Sequence, residues 1–476
     1  VSGQGSAGGL IGCKGAGSVA FNICKVVEGD IDISGWNNAG GLLGYISSKC
    51  EATFTDCTVG ASGGRKVSIR SENVAGGLAG NMDDGRSYFQ GCSVVGKIVD
   101  PENNTSNFIV SGVWFIGALA GKTTDDEFIS CTVENVKVDL TGWGGCYAGG
   151  LTGLSENSSF SGCMVSGGMV TTHDNVLNEI GGLVGSTTNV SFSECGAKNI
   201  TVTGGTSAGG LVGRTENSNF KDCTVEWENN KNITVKTKDY AGGLTGNTRG
   251  GSFTGCTVTK ANVESTGATG VAGGLAARTS ENVTIDGCKS IDARVEAASY
   301  AGDLLGEMIN TTLTGCQVYL ENDIGNSTTD YRVIAKASGG LAGMITDEGT
   351  IQQSSAATLV QGTTYAGGLA GALSVPKDDD GNPVSPDYHP QVNIETSYAD
   401  CYLTVGGGTE PPYAGGLVGL KDVLVNLTMK NVYAAGFITM DGAETKTAAG
   451  LCSGYAFTKE DKSDMNPADV TNAYAA

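Results

Sequence analysis

A six-residue glycine motif recurs along the whole chain and constrains the fold more than any other feature. Its clearest form is Ala39-Gly40-Gly41-Leu42-Leu43-Gly44. Fourteen copies begin at Ala7, Ala39, Ala75, Ile116, Ala148, Ile180, Ala208, Ala241, Ala272, Ala301, Ser338, Ala366, Ala414 and Ala448. Successive copies lie 28 to 48 residues apart, most often near 32. A repeat of this length is typical of a stacked array, in which each unit buries its apolar face against its neighbours.

A second landmark follows most copies of the motif, with an apolar residue and then a cysteine three positions later, as in Phe54 and Cys57. Ten cysteines share this position: Cys24, Cys57, Cys92, Cys131, Cys163, Cys195, Cys223, Cys256, Cys288 and Cys316. The residue before the cysteine is usually Gly or Asp, which indicates a corner. With a bend there, both residues of the landmark are expected to face inwards.

A third segment alternates between apolar and polar residues, as in Ile31-Asp32-Ile33, and this period of two indicates a strand. No segment keeps a helical period. We therefore predict an all-β fold, a single-stranded β-solenoid (β-helix) of about 14 coils with about 32 residues each. Parallel crossovers favour right-handed winding. Residues 1–476 are predicted to form one continuous solenoid, with loop insertions near residues 97–112, 321–336 and 374–391. Such insertions often carry binding function.

The charge balance excludes some classes of partner. The chain has 29 Lys and Arg against 50 Asp and Glu, a net charge of −21. Such a surface repels nucleic acid and anionic lipid. No run of about 20 apolar residues is present, so no membrane span is expected.

The recurring Gly-Leu-x-Gly core, as in Gly9-Leu10-Ile11-Gly12 and Gly182-Leu183-Val184-Gly185, resembles the GLUG-motif repeat family. Members resemble large bacterial surface proteins, adhesins and the non-catalytic parts of immunoglobulin A peptidases. The resemblance implies an extracellular or cell-surface location and an adhesive or structural role. It implies no catalytic residues, because the peptidases' His-Glu-x-x-His zinc site has no counterpart around His173 or His389. We expect no enzymatic activity, no cofactor and no metal site.

The cysteines allow three interpretations. Buried thiols acting as small apolar residues are favoured. Disulfides between neighbouring coils are the second choice, since the spacing of adjacent coils suits a bridge. Metal or redox function comes third, because no Cys-x-x-Cys spacing occurs. Cys13 and Cys50 lie outside the shared position in adjacent coils, which makes them the best candidates for a true disulfide.

Asparagine sequons also recur, partly at one repeat position. Candidate glycosylation sites are Asn103, Asn104, Asn157, Asn189, Asn199, Asn232, Asn282, Asn310, Asn326 and Asn426. The repeat offers another explanation, in which asparagine forms a turn and the following Ser or Thr completes a sequon as a by-product. The turn interpretation is favoured, and glycosylation stays open.

Two further patterns have a functional and a structural interpretation. Tyrosine directly precedes the glycine motif at Tyr147, Tyr240, Tyr300, Tyr365 and Tyr413. This row is either a sugar-binding strip or a cover over a corner of the core, and the cover is favoured. The acidic run at residues 378–382 is either a calcium loop or a solvated hairpin tip, and the tip is favoured.

The preferred function is a non-catalytic adhesive or structural solenoid, the shaft or repeat region of a cell-surface protein. A self-assembling filament subunit is the alternative, because residues 470–476 echo residues 429–435 and the two chain ends are in register. A polysaccharide-acting enzyme is less favoured, since no pair of acidic residues recurs. Expected partners are a second copy of the chain, a host or cell-surface protein, or a glycan.

Overall fold

Short strands and turns make up the computed structural model. It describes residues 1–27, 29–47, 50–60, 65–82, 85–100, 105–172, 177–228, 235–321, 332–378, 382–385, 387–440, 447–452 and 469–475. These residues contain no helix, so the predicted all-β class is confirmed.

Five short strands form one repeat. In the repeat of Tyr147 they are an alternating strand (Lys137–Leu140), a motif strand (Tyr147–Gly149), a post-motif strand (Thr152–Glu156), a phenylalanine strand (Ser159–Ser161) and a cysteine strand (Met164–Ser166). Each is bounded by turns, as the sequence pattern predicts.

The same strands recur in the other repeats. Alternating strands are Ser2–Gly3, Ile31–Gly35, Val67–Ser71, Phe108–Gly112, Met169–Thr172, Thr201–Thr203, Val235–Thr237, Asn262–Ser265 and Arg294–Ala297. Motif strands are Ser6–Gly8, Asn38–Gly40, Val74–Gly76, Phe115–Gly117, Glu179–Gly181, Ser207–Gly209, Tyr240–Gly242, Val271–Gly273, Tyr300–Gly302, Tyr413–Gly415 and Thr447–Ala449. Post-motif strands are Ile11–Lys14, Leu43–Ile46, Ala79–Met82, Ala120–Thr124, Val184–Thr188, Ala276–Ser280, Leu305–Met308, Ala342–Thr346, Ala370–Ser374 and Val418–Lys421.

Phenylalanine strands are Gly17–Asn22, Cys50–Thr55, Arg86–Gln90, Glu127–Ile129, Ser191–Ser193, Val283–Asp286, Thr311–Thr314, Gly349–Gln352 and Gln391–Glu395. Cysteine strands, or their equivalents, are Lys25–Val26, Thr58–Gly60, Ser93–Val95, Thr132–Glu134, Gly196–Lys198, Thr224–Glu226, Thr257–Thr259, Lys289–Ile291, Gln317–Tyr319 and Ser355–Ala356. Longer strands merge two classes, or three in the last case: Val212–Lys221, Thr245–Thr254, Val333–Gly339, Leu359–Gly367, Tyr398–Val405 and Asn426–Met440. The remaining strands are Ile98–Asp100, Thr105–Ser106 and Asp469–Ala475.

Equivalent strands of successive repeats pair in parallel, and equivalent residues lie opposite one another. Ala39 is opposite Ala75 and Phe54 is opposite Phe89. This in-register parallel pairing confirms the predicted β-solenoid. The right-handed winding and the number of coils stay predictions.

The chain divides into two compact units, one of residues 1–238 with 244–247 and one of residues 239–243 with 248–476. In the first unit, phenylalanine rings of successive repeats stack with centroids 4.6 to 5.0 Å apart, at Phe21, Phe54, Phe89, Phe128, Phe160, Phe192 and Phe220. In the second unit, aliphatic residues such as Ile285, Leu313 and Ile351 occupy the same position and are fully buried. Leu10, by contrast, is 59% exposed. The prediction of one continuous solenoid over residues 1–476 stays a prediction.

The first glycine of the motif is required because the backbone approaches it closely. A Cβ added to Gly149 would overlap the carbonyl oxygen of Thr152, and one added to Gly40 would overlap that of Leu43. At Gly149 and Gly40 the motif strand and the post-motif strand therefore fold sharply against each other, which leaves no room for a side chain.

The corner before each cysteine is also confirmed. Backbone φ is positive at Asp56 (51°), Ser130 (52°) and Asp222 (52°), and at glycines such as Gly162 (60°). Gly and Asp adopt this left-handed conformation more readily than most residues, which explains their recurrence there.

The described residues show parts of the three predicted insertions. Near residues 97–112, Ile98–Asp100 pairs antiparallel with Thr105–Ser106, while Phe108–Gly112 is already a strand of the repeat. Near residues 374–391, Lys377 and Pro383 form an antiparallel bridge, and the repeat resumes at Gln391. Of residues 321–336, Val333 onwards is again a strand of the repeat. Residues 101–104, 322–331, 379–381 and 386 lie outside the described residues.

We predict that Gly149→Ala lowers the free energy of unfolding by about 2 kcal/mol or more, because the added methyl group meets the carbonyl oxygen of Thr152. Gly15 is the matched control, since an added Cβ there meets nothing within 4 Å, and Gly15→Ala is expected to change stability by at most about 0.5 kcal/mol. Urea denaturation followed by circular dichroism measures both. Equal stabilities of the two variants would contradict the packing argument.

Candidate functional site

The residues that directly precede and directly follow the glycine motifs share one side of the repeats, where some are buried and others are half-buried. In the second unit Tyr300, Tyr365 and Tyr413 are half-buried and pack against a cluster of Ala337, Met344, Ala372 and Leu420. We name Tyr240, Tyr300, Tyr365 and Tyr413, with the residues that follow the motifs of this unit, the tyrosine face.

The register of the motif strands orders this face. Successive residues in the column are Tyr240, Val271, Tyr300, Ala337, Tyr365 and Tyr413. Tyrosine therefore alternates with a short residue over the first five positions. The rings of Tyr365 and Tyr413, in adjacent repeats, have centroids 6.0 Å apart.

An arginine and a glutamate lie beside the tyrosines. The Arg278 guanidinium stands 5.7 Å from the Tyr240 ring centroid and donates a hydrogen bond to its hydroxyl (3.1 Å). Arg278 Nε is also 3.1 Å from Glu307 Oε2. Burial raises the pKa of Glu307, and the positive charge of Arg278 opposes that increase. The pair is thus held in place on a partly dehydrated surface.

Glu410 links two further residues of this region. It accepts hydrogen bonds from Lys336 Nζ (2.8 Å) and from the Tyr365 hydroxyl (3.3 Å). The hydrogen bond from Lys336 lowers the pKa of Glu410. Burial, with the negative charge of Glu410, raises the pKa of Tyr365 to about 12, so this hydroxyl stays protonated.

The first unit carries a more varied version of the same surface. The rings of Phe115 and Tyr147 stack at 5.6 Å, and Lys122 Nζ lies 5.5 Å from the Phe115 centroid. Arg214 and Glu179 form an ion pair of 3.1 Å. Of the five tyrosines singled out in the sequence, Tyr300, Tyr365 and Tyr413 thus cover a buried cluster and remain partly exposed.

A buried carboxylate lies inside the second unit at Asp303, in place of the second glycine of its motif. Asp303 is 1% exposed and accepts hydrogen bonds from Ser290 Oγ (2.8 Å) and Thr358 Oγ1 (3.0 Å). Burial raises its pKa to about 7, against the lowering effect of those hydroxyls and of Arg332. Sequence reasoning missed this group. Two departures from the repeat could have indicated it. Asp303 stands where the motif has glycine, and Ser290 stands two residues after the cysteine, where most repeats have valine.

The ten cysteines of the shared position are free thiols, and all but the half-buried Cys24 are buried. In the first unit the thiol of Cys57 donates to the carbonyl oxygen of Phe21 (3.3 Å), and Cys92 donates likewise to Phe54 (3.4 Å). In the second unit Cys316 donates to Ile285 (3.6 Å). Burial raises the pKa of Cys57 to about 11. The choice between thiols and disulfides in the isolated protein stays a prediction.

The candidate disulfide between Cys13 and Cys50 is not formed in the structure, where both are free thiols. The register explains the difference. Cys13 lies opposite Tyr45 on the post-motif strands, whereas Cys50 lies opposite Gly17 on the phenylalanine strands. The two cysteines of adjacent repeats are therefore not equivalent.

Five sequon asparagines occupy corners with φ between 45° and 61°, as the turn interpretation requires: Asn157, Asn189, Asn199, Asn282 and Asn310. Asn189 Nδ2 donates to Asn157 Oδ1 across adjacent repeats (3.2 Å). Asn426 instead begins a strand and donates to the His389 carbonyl oxygen (3.3 Å). Asn103, Asn104, Asn232 and Asn326 lie outside the described residues. Glycosylation stays a prediction at all ten sites.

At the acidic run, the amide of Asn382 donates to Asp378 Oδ1 (2.9 Å) and the amide of Asp378 donates to the Asn382 carbonyl oxygen (2.8 Å). These bonds fit the hairpin-tip interpretation. Within the described residues, no group of three or more His, Cys, Asp or Glu side chains is placed to hold a metal ion. His173 lies outside them.

The parallel stack and its repeated outer surface define a β-solenoid repeat protein. Residues 204–226 match the family described as the GLUG motif, which confirms the resemblance to GLUG-motif repeat proteins. No curated protein matches the chain significantly. In the part of the chain that the structure describes, no helix is long and apolar enough to span a membrane.

Two solved structures are similar at low identity. A protein from Bacteroides ovatus, described as a candidate immunoglobulin A1 protease, is 14% identical over 71% of this chain and 78% of its own, with a TM-score of 0.28. The catalytic domain of a GH87 α-1,3-glucanase, in complex with tetrasaccharides, is 10% identical over 92% of this chain and 65% of its own, with a TM-score of 0.26. Similarities this distant assign no function.

We predict that a thiol-alkylating reagent at mildly alkaline pH labels exposed Cys13 first in the native chain. The buried thiols, such as Cys57, should react only after denaturation, since burial both excludes the reagent and raises the pKa of Cys57 to about 11. Peptide mass spectrometry with and without a reductant measures the labelling. Cysteines that stay unlabelled in denaturant until the reductant is added would indicate disulfides and contradict the prediction.

We predict that Asp303→Asn removes part of the pH dependence of stability. Asp303 has a higher pKa in the folded chain (about 7) than the ordinary value of 3.8, so the folded state binds its proton more tightly. The contribution of this group to the unfolding free energy is therefore greatest below pH 3.8 and declines as pH rises towards 7. Urea denaturation at several pH values should show a shallower decline for Asp303→Asn than for the wild type. The exposed Asp286→Asn is the control and should retain the wild-type slope, and an unchanged slope in Asp303→Asn would refute the assignment.

Proposed function

We propose that this chain is a non-catalytic, extracellular binding module, in which each β-solenoid unit presents aromatic and charged side chains to a partner on a cell surface. One observation carries the proposal. Aromatic and charged side chains recur in register beside the glycine motif, on Phe115 and Tyr147 in the first unit and on Tyr300, Tyr365 and Tyr413 in the second. A surface repeated in this way offers a partner several similar contacts.

The scaffold suits such a role because contacts within the chain already order the side chains of this surface in the absence of a partner. The tyrosine rings are supported by Met344 and Leu420, and Arg278 is fixed by Tyr240 and Glu307. Side chains that are already ordered lose little conformational entropy on binding, which favours affinity. The GLUG motif at residues 204–226 supports an extracellular, adhesive setting.

The acidic residues support a structural role more than a catalytic one. Of the adjacent pair Asp125 and Asp126, Asp125 forms a corner with φ of 57°, and buried Asp126 accepts a hydrogen bond from the amide of Ser87. Burial raises the pKa of Asp126 well above its usual range. The Asp126 carboxylate is thus buried and bonded to the backbone of the solenoid, so we infer that it does not act on a substrate.

Binding to intact cells tests the proposal. The purified chain, labelled at its amino groups with a fluorophore, should bind epithelial cells or a bacterial cell wall fraction saturably, and unlabelled chain should compete. Heat-denatured chain is the control for non-specific adhesion. Release of reducing ends from polysaccharides would indicate an enzyme, fibres in electron micrographs would indicate a filament subunit, and absence of saturable binding to every surface would refute the proposal.

A further inference from the structure

We propose that the tyrosine face of the second unit binds a neutral polysaccharide in an extended conformation, with the chain of sugars running along the column from Tyr240 to Tyr413. The inference rests on the proposed function as a binding module and assigns its ligand class. Three properties of the face support it: the spacing of the rings, the chemistry around them and the balance of charge.

The spacing comes from the register. Tyr240, Tyr300 and Tyr365 occupy alternate positions of the column. Neighbouring parallel strands are about 4.8 Å apart, so these rings recur about every 9.6 Å. That distance is comparable with the disaccharide repeat of an extended, β-linked polysaccharide. Successive tyrosines would therefore contact every second sugar of one chain.

The positions between the rings are short. Val271 and Ala337 are buried, with 3% and 0% exposure, and so do not rise between the tyrosines. The column thus alternates a half-buried ring with a short, buried residue. The rings therefore provide the accessible surface of the column.

The chemistry of the face suits a sugar, which combines apolar C–H faces with hydroxyl groups at its edge. The rings supply flat apolar surface, supported from below by Met344 and Leu420. Glu307 and Glu410 lie beside the rings with acceptor oxygens, and Arg278 adds donor groups. A ligand could therefore stack on the rings and form hydrogen bonds at their edges.

The charges favour a neutral ligand. Arg278 is paired with Glu307 and Lys336 with Glu410, so the face presents balanced pairs. The whole chain carries −21, which opposes approach of an anionic polymer. A peptide bound as an added strand needs an open sheet edge. The motif strands of Tyr300 and Tyr365 are instead paired on both sides.

Isothermal titration with the purified full chain tests the proposal. The probes are cello-oligosaccharides and chito-oligosaccharides of two to six sugars, with soluble alginate as the anionic comparison. We expect affinity for one neutral series to rise with length, since each added disaccharide reaches another tyrosine, and we expect no binding of alginate. A neutral series whose affinity does not change with length would overturn the extended arrangement.

Substitutions locate the site. Tyr300→Ala and Tyr365→Ala should each weaken hexasaccharide binding about tenfold or more, as loss of a central aromatic contact does. Tyr365→Leu keeps apolar volume against the Met344 cluster, so this variant should fold normally. Because it loses the flat ring, its affinity for the hexasaccharide should be reduced as in Tyr365→Ala. Tyr398→Ala is the matched control, because Tyr398 is 50% exposed on a different strand of the same unit, and it should bind like the wild type.

The outcomes separate the two proposals. Saturable binding to cells with no affinity for any neutral oligosaccharide would refute the ligand class and leave the binding module standing. Oligosaccharide binding that Tyr365→Leu and Tyr398→Ala affect equally would refute the tyrosine face as the site. Absence of binding to cells would refute the proposed function itself. Thermal denaturation of each variant distinguishes a lost contact from a lost fold.

Discussion

The close approach of two backbone segments at each glycine motif is the constraint on which the rest of the structure depends. At Gly149 any side chain would overlap the carbonyl oxygen of Thr152, so only glycine lets the motif strand fold onto the post-motif strand. Once that fold is made, Ala148 and Leu151 are buried with no exposure. Of the residues that flank the motif, several, such as Tyr300 and Tyr365, remain partly exposed.

Parallel pairing in register extends this constraint from one repeat to the next. Because equivalent residues lie opposite each other, the residue at each position must pack well against a similar residue in the next repeat. Phenylalanine meets this condition by stacking, as Phe54 does on Phe89 with centroids 4.6 Å apart. A cysteine meets it by donating to the backbone, as Cys92 does to the carbonyl oxygen of Phe54. The small set of residue types in each column follows from this requirement.

The same requirement explains what could be predicted from the sequence. The β-solenoid, the inward Phe and Leu positions and the corners before the cysteines all depend on residues that recur, so the repeat reveals them. Asp303 could not be found in that way, since its contacts with Ser290 and Thr358 occur once and join residues 13 and 55 positions apart. The Cys13–Cys50 pair is not bridged in the structure for a related reason. Membership of adjacent coils does not specify which strand of the coil a residue occupies.

The outer positions differ from the core in that the fold leaves their identity free. The residue before the motif is Asn38, Val74 or Glu179 in the first unit, and each lies in a motif strand paired like the others. Parallel pairing by itself therefore does not require tyrosine at this position. In the second unit Tyr300, Tyr365 and Tyr413 cover the Met344 cluster. Because they remain half-exposed, the same rings could also contact a partner in several repeats at once. Because the register sets the distance between those contacts, the scaffold would select a partner whose repeating unit has a matching length. The side chains would select the chemical class of that partner.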